Sequence, residues 1–355
     1  MTNYPGYTLH QISPYIGKIR PLLARELIQT YSSEDDLVWD PFCGSGTIPL
    51  ESKLLNRNVI AADINPYAYA LTMAKLHAPK TPKAVISNLD FVVQKIKTNS
   101  NRINRVVPQW VKNFFHEQTL NETLFLISEF LIKKQYFNIG CLLGILHHQR
   151  PGFLSYPASH LVPYLRDRKY PQHLYPEAYK YRDPIPRLKA KINRVLKSPP
   201  PKNNVSQSVF KKSATIKYLP DKSVDIVITS PPYMSALDYA RDNRLRLWFL
   251  GVENYRIVQN MEIRKISSFN EKMRLSLIRI AEALKPNGLC VLVIGDLSKN
   301  NKTYNIPEMI QVLVREKNNK LSIIEKWTDW LPNQRRTRKN GRATKKETIM
   351  VFKRE

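Results

Sequence analysis

A serine, two prolines and a tyrosine close an apolar run in the second half of the chain. The run Val224–Thr229 is followed by Ser230, Pro231, Pro232 and Tyr233. Its β-branched residues predict a buried strand, and the prolines predict a rigid loop after it. Because proline has no N–H, this loop offers mainly carbonyl oxygens and one hydroxyl beside an aromatic ring. Such acceptors suit a planar substrate with an exocyclic amino group, whereas the structural alternative is a surface turn with a packing tyrosine.

A glycine-containing turn far upstream has the composition of a ligand-binding loop. It consists of Asp40, Pro41, Phe42, Cys43, Gly44, Ser45, Gly46 and Thr47. A short apolar segment at 37–39 predicts a strand before the turn, and residues 48–55 predict a helix after it. Glycine lets the backbone approach a ligand closely. A strand, a glycine turn and a helix start together indicate a nucleotide-type site.

An acidic residue follows the next predicted strand. Residues 59–62 are apolar and lead into Asp63, Ile64 and Asn65. In doubly wound folds an acid at this place, some twenty residues after the glycine turn, holds a ribose diol. The spacing therefore predicts that Asp63 binds a ribose and that Ile64 and Asn65 lie beside it.

Together these motifs resemble those of the S-adenosylmethionine-dependent amino-methyltransferases that modify exocyclic amines of DNA bases. The family's DPFxGSGT motif matches residues 40–47, and its (D/N/S)PPY motif matches residues 230–233. The serine form is typical of the N4-cytosine branch. The segment 10–21, which begins with His10, looks like the family element that covers the methionine end of the cofactor. The resemblance spans roughly residues 8–76 and 210–353.

The resemblance implies a cofactor and a mechanism. S-adenosylmethionine would be held by the turn at 40–47, with Asp40 orienting the turn. The Ser230 hydroxyl and the Pro231 carbonyl would accept the two N–H groups of cytosine N4, and Tyr233 would stack on the base. A base in duplex DNA must be flipped out of the helix to reach such a pocket. The methyl group would then transfer directly, in line, by positioning and electrostatics.

Other functions fit the same motifs. N6-adenine methylation of DNA is the nearest, since serine only favours cytosine. RNA methyltransferases that modify guanine N2 of tRNA resemble both motifs, and a catalytically silent nucleic-acid-binding protein is the alternative outside enzymes. At one place the chain departs from the family pattern: Lys212, Ser213 and Ala214 stand where Gly-Asp-(Ala/Ser) is common. The usual aspartate contact to the cofactor adenine is therefore not predicted.

Charge narrows the choice of partner. The 355 residues include 56 Lys and Arg against 29 Asp and Glu, a formal net charge of +27. Such an excess predicts a polyanionic partner, and double-stranded DNA is our first choice, with a cognate restriction endonuclease as a candidate protein partner. An anionic membrane would attract the same charge, but no long apolar stretch or signal peptide supports it. We therefore expect a protein of the prokaryotic cytoplasm and nucleoid, without a membrane partner.

The cysteines exclude two chemistries. Cys43, Cys141 and Cys290 show no CxxC spacing, which fits a reducing compartment and predicts no metal site. Methylation of cytosine C5 uses a Pro-Cys nucleophile in the family that performs it, and no Pro-Cys dipeptide occurs here. Cys43 is interpreted as a small buried side chain in the turn.

The remaining pattern predicts an α/β fold with a Rossmann-like, seven-stranded methyltransferase sheet, mostly parallel with a reversed terminal strand. Further strands are expected at 214–217, 289–294, 321–327 and 347–352, helices at 243–250 and 273–284, a turn at 285–288 and a linker at 198–208. Because active sites lie at the carboxyl ends of such strands, both motifs should meet at one edge.

A long insertion interrupts the predicted catalytic domain. We assign residues 1–77 and 206–355 to that domain and 78–205 to a largely helical target-recognition region, with a solvated surface segment as the alternative. Interleaved cations and aromatic residues there can bind phosphates and stack on bases. A second basic run lies between the last two predicted strands. The candidate DNA contacts are Arg150, Tyr164, Arg166, Arg168, Lys169, Arg335, Arg336 and Arg338.

Overall fold

A computed structural model describes most of the chain. The described residues are 6–99, 105–148, 152–157, 170–201, 203–232, 238–262, 266–295, 297–299, 302–316, 320–330 and 346–355. The strands are β1 Leu37–Asp40, β2 Asn58–Ala62, β3 Gln207–Phe210, β4 Val224–Thr229, β5 Leu284–Gly295, β6 Leu297–Lys299, β7 Lys302–Tyr304, β8 Leu321–Trp330 and β9 Lys346–Arg354. The helices are α1 Pro21–Tyr31, α2 Thr47–Leu54, α3 Pro66–Leu76, α4 Pro82–Asn99, α5 Gln109–Lys112, α6 Glu117–Ile132, α7 Tyr136–Leu146, α8 Pro184–Val195, α9 Tyr239–Asp242, α10 Arg244–Phe249, α11 Tyr255–Met261, α12 Ile266–Ala283 and α13 Ile306–Val314.

Seven strands form one sheet in the order β3-β2-β1-β4-β5-β9-β8. The strands from β3 to β5 pair in parallel, and β9 pairs antiparallel with both β5 and β8. The predicted fold class, including the reversed terminal strand, is therefore confirmed. A separate two-stranded hairpin, β6 with β7, follows β5 directly.

The sheet separates two apolar cores because neighbouring strand residues point to opposite faces. In β4, for example, Val227 packs under α12 and α13, whereas Ile226 and Ile228 pack under α1. This alternation buries nearly every residue of the central strands, as expected for a parallel sheet covered on both sides. The central strands are thereby fixed, and only their carboxyl ends reach the cleft described below.

One local prediction was wrong. The strand expected at 214–217 is a turn, and the third strand of the sheet lies earlier, at β3, where it pairs with β2 from Val59↔Gln207 to Ala62↔Phe210. Pairing with β2 therefore decides the position of this strand. The strand includes residues 207 and 208, which were expected to end the linker. The turn expected at 285–288 is found as an irregularity within β5. The pairing with β4 jumps there from Val224↔Leu284 to Ile226↔Leu289, and Asn287 has a φ of 62°.

The insertion is helical in its described parts, with α4 to α8 between β2 and β3. These helices share one continuous core with α2, α3 and α10, so they pack against helices that follow the strands of the sheet. Helix α7 is almost fully buried and contacts both α3 and α8. The insertion therefore contributes to the stability of the sheet region as well as covering it.

Candidate functional site

One open cleft of about 910 Å³, solvent at its mouth included, lies along the carboxyl ends of four neighbouring strands. Turns after β3, β2, β1 and β4 line it in that order. The sequence-predicted residues that line it are Asp40, Pro41, Phe42, Gly44, Ser45, Thr47, Asp63, Ile64, Asn65, Ser230 and Pro232. Both motifs therefore meet at one edge of the sheet, although about 185 residues separate them in sequence.

Two glycines shape the turn after β1. Gly44 and Gly46 have φ angles of 47° and 70°, in the left-handed region that favours glycine. A Cβ on Gly46 would lie 2.7 Å from Thr72 Oγ1, so only glycine lets the turn approach α3 this closely. Gly46 also precedes the first residue of α2, whose amino end faces the cleft-lining turn. The amino end of a helix favours anionic groups.

Two carboxylates hold this edge together through main-chain N–H groups. Asp63 Oδ2 accepts from Gly44 N at 2.9 Å, and its Oδ1 accepts from Asn65 N at 2.9 Å. Asp40 Oδ1 accepts from Thr229 Oγ1 at 2.6 Å and from Phe42 N at 3.2 Å. Burial raises the pKa of Asp40 to about 7 and that of Asp63 to about 6. A cation bound in the cleft would favour ionisation of both acids.

The loop after β4 presents a hydroxyl with a defined direction. Ser230 Oγ donates to the carbonyl oxygen of Val293 on β5 at 3.0 Å, which leaves the lone pairs of Oγ to accept hydrogen bonds. Ser230 and Pro232 line the cleft, whereas Pro231 is buried and does not. Tyr233 lies outside the described residues. The serine is thus set up as an acceptor at the cleft edge.

The segment before α1 closes another side of the cleft, but not through His10. Tyr15, Gly17, Lys18 and Ile19 line the cleft. His10 is buried, its Nε2 lies 2.7 Å from Glu51 Oε1, and burial lowers its pKa to about 4. The predicted cofactor contact of His10 is therefore wrong in its position, because the imidazole faces α2 rather than the cleft.

Tyr15 stands at the entrance to the glycine turn. Its ring lies 5.8 Å from that of Tyr239 at an interplanar angle of 26° and 5.8 Å from that of Tyr67. A Cβ on Gly44 would lie 3.4 Å from Tyr15 Cε1, so the ring covers this glycine closely. Burial and the nearby charge of Asp63 raise the pKa of Tyr15 well above its ordinary value, which keeps the phenol protonated.

Sequence reasoning missed two parts of the lining. Lys212, Ser213, Ala214 and Thr215 line the cleft from the turn after β3, and the last two were expected in a strand at 214–217. Tyr239, Met261, Glu262 and Lys272 line it from the segment that follows the β4 loop. A Ser-x-Thr turn signal was available for the first group. No local signal marks the second group of residues, because its position depends on how α9 to α11 pack.

Other predicted residues contribute less or cannot be placed. Gly46 lies behind the cleft surface as the residue before α2. Burial raises the pKa of Cys43 well above its ordinary value, which argues against a thiolate nucleophile at the turn. The predicted DNA contacts all lie outside the described residues: Arg150, Tyr164, Arg166, Arg168, Lys169, Arg335, Arg336 and Arg338.

Within the described parts of the chain, no cluster of three or more His, Cys, Asp or Glu residues could hold a metal ion. No described helix is both long and apolar enough to cross a bilayer.

Comparison with known proteins gives a family match over the first motif. Residues 16–74 match the N6_N4_Mtase family model, described as DNA methylase. The chain is 23% identical over 296 residues to the Type II methyltransferase M.BsoBI of Geobacillus stearothermophilus, covering 72% of this chain and 55% of that protein. It is 26% identical over 131 residues to the Type II methyltransferase M.MjaII of Methanocaldococcus jannaschii, covering 37% of this chain and 22% of that protein. The chain thus spans about half the length, or less, of the curated relatives it matches.

Among solved structures, TrmN from Thermus thermophilus aligns over 98% of this chain and 52% of its own, with a TM-score of 0.40 and 10% identity. A similarity of this size carries no argument about function. The family match, in contrast, covers three parts of the cleft lining: the segment from Gly17 to Ile19, the glycine turn and Asp63. The family match supports a DNA methyltransferase but does not distinguish methylation of cytosine N4 from methylation of adenine N6.

Proposed function

We propose that the chain is an S-adenosylmethionine-dependent DNA methyltransferase that methylates the exocyclic N4 of cytosine in duplex DNA. The observation that carries the proposal is the position of Ser230. Its hydroxyl, oriented as an acceptor by Val293, lines the same cleft as the glycine turn and Asp63. The cleft therefore contains both an acceptor for an amine, Ser230 Oγ, and a site suited to a nucleoside, formed by the glycine turn and Asp63.

The described residues fit the proposed cofactor. Asp63 retains lone pairs beyond its two main-chain contacts, so its carboxylate can accept the ribose hydroxyls. The turn at Gly44 to Thr47 and the amino end of α2 suit a carboxylate group. A cationic ligand would favour the ionised forms of Asp40 and Asp63, whose pKa values burial raises. When bound, S-adenosylmethionine supplies an electrophilic methyl group on a sulfonium.

The residues of the chain prepare the amine as the nucleophile. The N4 lone pair of cytosine is delocalised into the ring, so the amine is a poor nucleophile. A hydrogen bond from one N–H group to Ser230 Oγ would favour a tetrahedral nitrogen with a localised lone pair. The carbonyl of Pro231, a buried residue outside the cleft lining, is the proposed second acceptor. Tyr233 would stack on the flipped base. The catalytic contribution of the chain is positioning and fixed dipoles, without a covalent intermediate.

Duplex DNA is the proposed substrate because the family model and both curated relatives are described as DNA methylase or Type II methyltransferase. The net charge of +27 supports a nucleic-acid substrate. A DNA substrate places the protein in the prokaryotic cytoplasm, with a cognate restriction endonuclease as a candidate partner. We further propose the region 78–205 as the target-recognition region.

The deciding experiment incubates the full chain with methyl-labelled S-adenosylmethionine and either duplex DNA or tRNA, followed by digestion to nucleosides. Label in N4-methylcytosine from DNA is the expected result. Label in N6-methyladenine would keep the cofactor and polymer but replace the base. Label in N2-methylguanine from tRNA would replace the polymer, and no transfer to either polymer would favour a silent binding protein.

A further inference from the structure

The strand order fixes which end of an extended cofactor meets which turn. Along the sheet edge the order is β3, β2, β1, β4, and neighbouring strands lie about 4.8 Å apart, so the turn after β3 is roughly 14 Å from Ser230. With the reacting group near Ser230 and the ribose at Asp63 after β2, the purine falls on the turn after β3. This inference rests on the proposed function and names the residues that read the purine.

The turn after β3 offers two hydroxyls that contact each other. Ser213 Oγ and Thr215 Oγ1 lie 2.8 Å apart, and Ser213 Oγ also accepts from Thr215 N at 3.2 Å. Both side chains are partly exposed at the cleft, while Ala214 between them is buried. The pair has two hydroxyl protons and its mutual bond uses one. The second proton is available to a ligand, and so are the remaining lone pairs.

The turn from Lys211 to Thr215 has no carboxylate. Lys211 and Lys212 are exposed there, and the Lys212 ammonium lies 5.8 Å from the centre of the Tyr218 ring. Three acids line the cleft, and none belongs to this turn: Asp40 and Asp63 lie in the neighbouring turns, where main-chain N–H groups donate to them, and Glu262 follows α11. A carboxylate could only accept from the 6-amino group of a purine, whereas a hydroxyl pair can either accept or donate.

We infer that the Ser213–Thr215 hydroxyl pair reads the purine of the cofactor and accepts a 6-oxo ring nearly as well as a 6-amino ring. With a 6-amino purine the pair accepts from the amine and donates to ring N1. With a 6-oxo purine it donates to the carbonyl oxygen and accepts from N1–H. Rotation of two hydroxyls exchanges one pattern for the other without moving the backbone.

The test compares two ligands by calorimetry on the full chain: S-adenosylhomocysteine and its deaminated form, S-inosylhomocysteine. The wild type is expected to bind them within about threefold of each other. Ser213→Asp should create a preference of about tenfold or more for the adenosyl form, because a carboxylate accepts from the amine and repels the 6-oxo group. Asp63→Asn should lower the affinity for both ligands by the same factor, because both carry the ribose that Asp63 is proposed to bind.

A double variant keeps the test valid if Ser213→Asp fails to fold. Ser213→Ala with Thr215→Val removes both hydroxyls. The affinity for each ligand should fall about three- to tenfold, while the ratio of the two affinities stays near one. Ser223→Ala, at a partly exposed serine outside the cleft lining, is the matched control and should change neither affinity. A wild type that prefers the adenosyl form tenfold, with the preference intact in the double variant, overturns the inference. A wild type that binds neither ligand overturns the proposed function and this inference with it.

Discussion

At the scale of single residues, the end of β4 is fixed from both sides. Thr229 donates to Asp40 on β1, and the next residue, Ser230, donates to Val293 on β5. The two hydroxyls therefore bond to β1 and β5, the two strands that flank β4 in the sheet. The backbone entering Pro231 therefore has little freedom, and Ser230 Oγ is oriented before a substrate arrives.

Ser230→Ala tests this acceptor. The variant lacks the only side-chain acceptor proposed for the amine, so kcat for DNA methylation should fall about 10²- to 10³-fold, the usual loss when one oriented catalytic hydrogen bond is removed. The Kd of S-adenosylmethionine, measured by calorimetry, should stay within about threefold. Ser223→Ala at the other end of the same strand is the control and should keep full activity. A variant with normal kcat would remove Ser230 from the mechanism.

Asp40 gives a prediction on pH. Its pKa in the folded protein is about 7, above the ordinary value of 3.8, because burial penalises the charge. Between these two values the folded state holds a proton that the unfolded chain has lost. The contribution of this group to stability is therefore fully present below about pH 4 and is lost as the pH rises through about 7.

Asp40→Asn keeps an oxygen for Thr229 and Phe42 but does not titrate. Its free energy of unfolding, relative to the wild type, should therefore rise between about pH 4 and 7 and level off above. The gain should reach about 1–4 kcal/mol. Urea unfolding at several pH values measures this difference. Parallel profiles for the two proteins would contradict the burial argument for Asp40.

At the scale of elements, helix α7 joins the insertion to the cleft. A Cβ on Gly144 would overlap the carbonyl oxygen of Ile12, and one on Gly140 would lie 2.9 Å from Ile12 Cδ1. Ile12 precedes the segment Tyr15 to Ile19 that lines the cleft. The two glycines therefore allow the buried helix to support the chain that covers the glycine turn.

Gly144→Ala should disturb this contact. The added methyl meets backbone rather than a flexible side chain, so the free energy of unfolding should fall by about 1–3 kcal/mol despite the better helix propensity of alanine. Affinity for S-adenosylmethionine should fall as well, because the segment after Ile12 must shift. Ser128→Ala on the exposed side of α6 is the control, with an expected change below about 0.5 kcal/mol. Unchanged stability in Gly144→Ala would show that α7 can move freely.

A second contact joins the insertion to the segment after the β4 loop. Arg246 of α10 donates to the carbonyl oxygens of Leu143 and His147, at the carboxyl end of α7. Arg105 stacks 3.8 Å from the centre of the Trp248 ring and donates to the Trp248 carbonyl at 2.8 Å. The Arg246 contacts satisfy carbonyls at the end of α7. The Trp248 carbonyl also accepts from Gly251 N at 2.9 Å. The contacts of both arginines link the proposed target-recognition region to the segment that carries Tyr239 and Glu262.

At the scale of the whole molecule, we expect charge to govern the encounter with the proposed DNA substrate. A net charge of +27 produces a field that attracts a polyanion and that salt screens. Each phosphate contact adds about 0.9 to the slope of log affinity against log salt. The slope therefore counts the contacts that the chain makes, independently of base recognition.

Neutralising Arg335, Arg336 and Arg338 to Gln tests the basic run between β8 and β9. If all three contact phosphates, the slope for duplex binding should fall by about 2–3, with affinity lost equally for all sequences. Fluorescence anisotropy at several salt concentrations measures it. Lys217→Gln, whose ammonium is already paired with Asp221 at 2.8 Å, is the control and should leave the slope nearly unchanged. An unchanged slope in the triple variant would place the phosphate contacts elsewhere.

The sequence by itself determined the local pieces of the cleft. Prolines after a β-branched run and glycines after a short strand restrict the backbone wherever they occur, so β1, α2, β2 and β4 could be predicted close to their observed bounds. The same reasoning placed both motifs at one sheet edge, because parallel strands share the direction of their carboxyl ends.

Only the tertiary structure decided which distant residues complete the cleft. The strand expected at 214–217 became the turn of Ser213 and Thr215, because β2 pairs with residues 207–210 instead. His10, expected at the cofactor, faces Glu51, since the packing of α2 places a buried acid beside it. Tyr239 and Glu262 reach the cleft through the packing of α9 to α11. These outcomes depend on long-range pairing and burial, which no short stretch of sequence encodes.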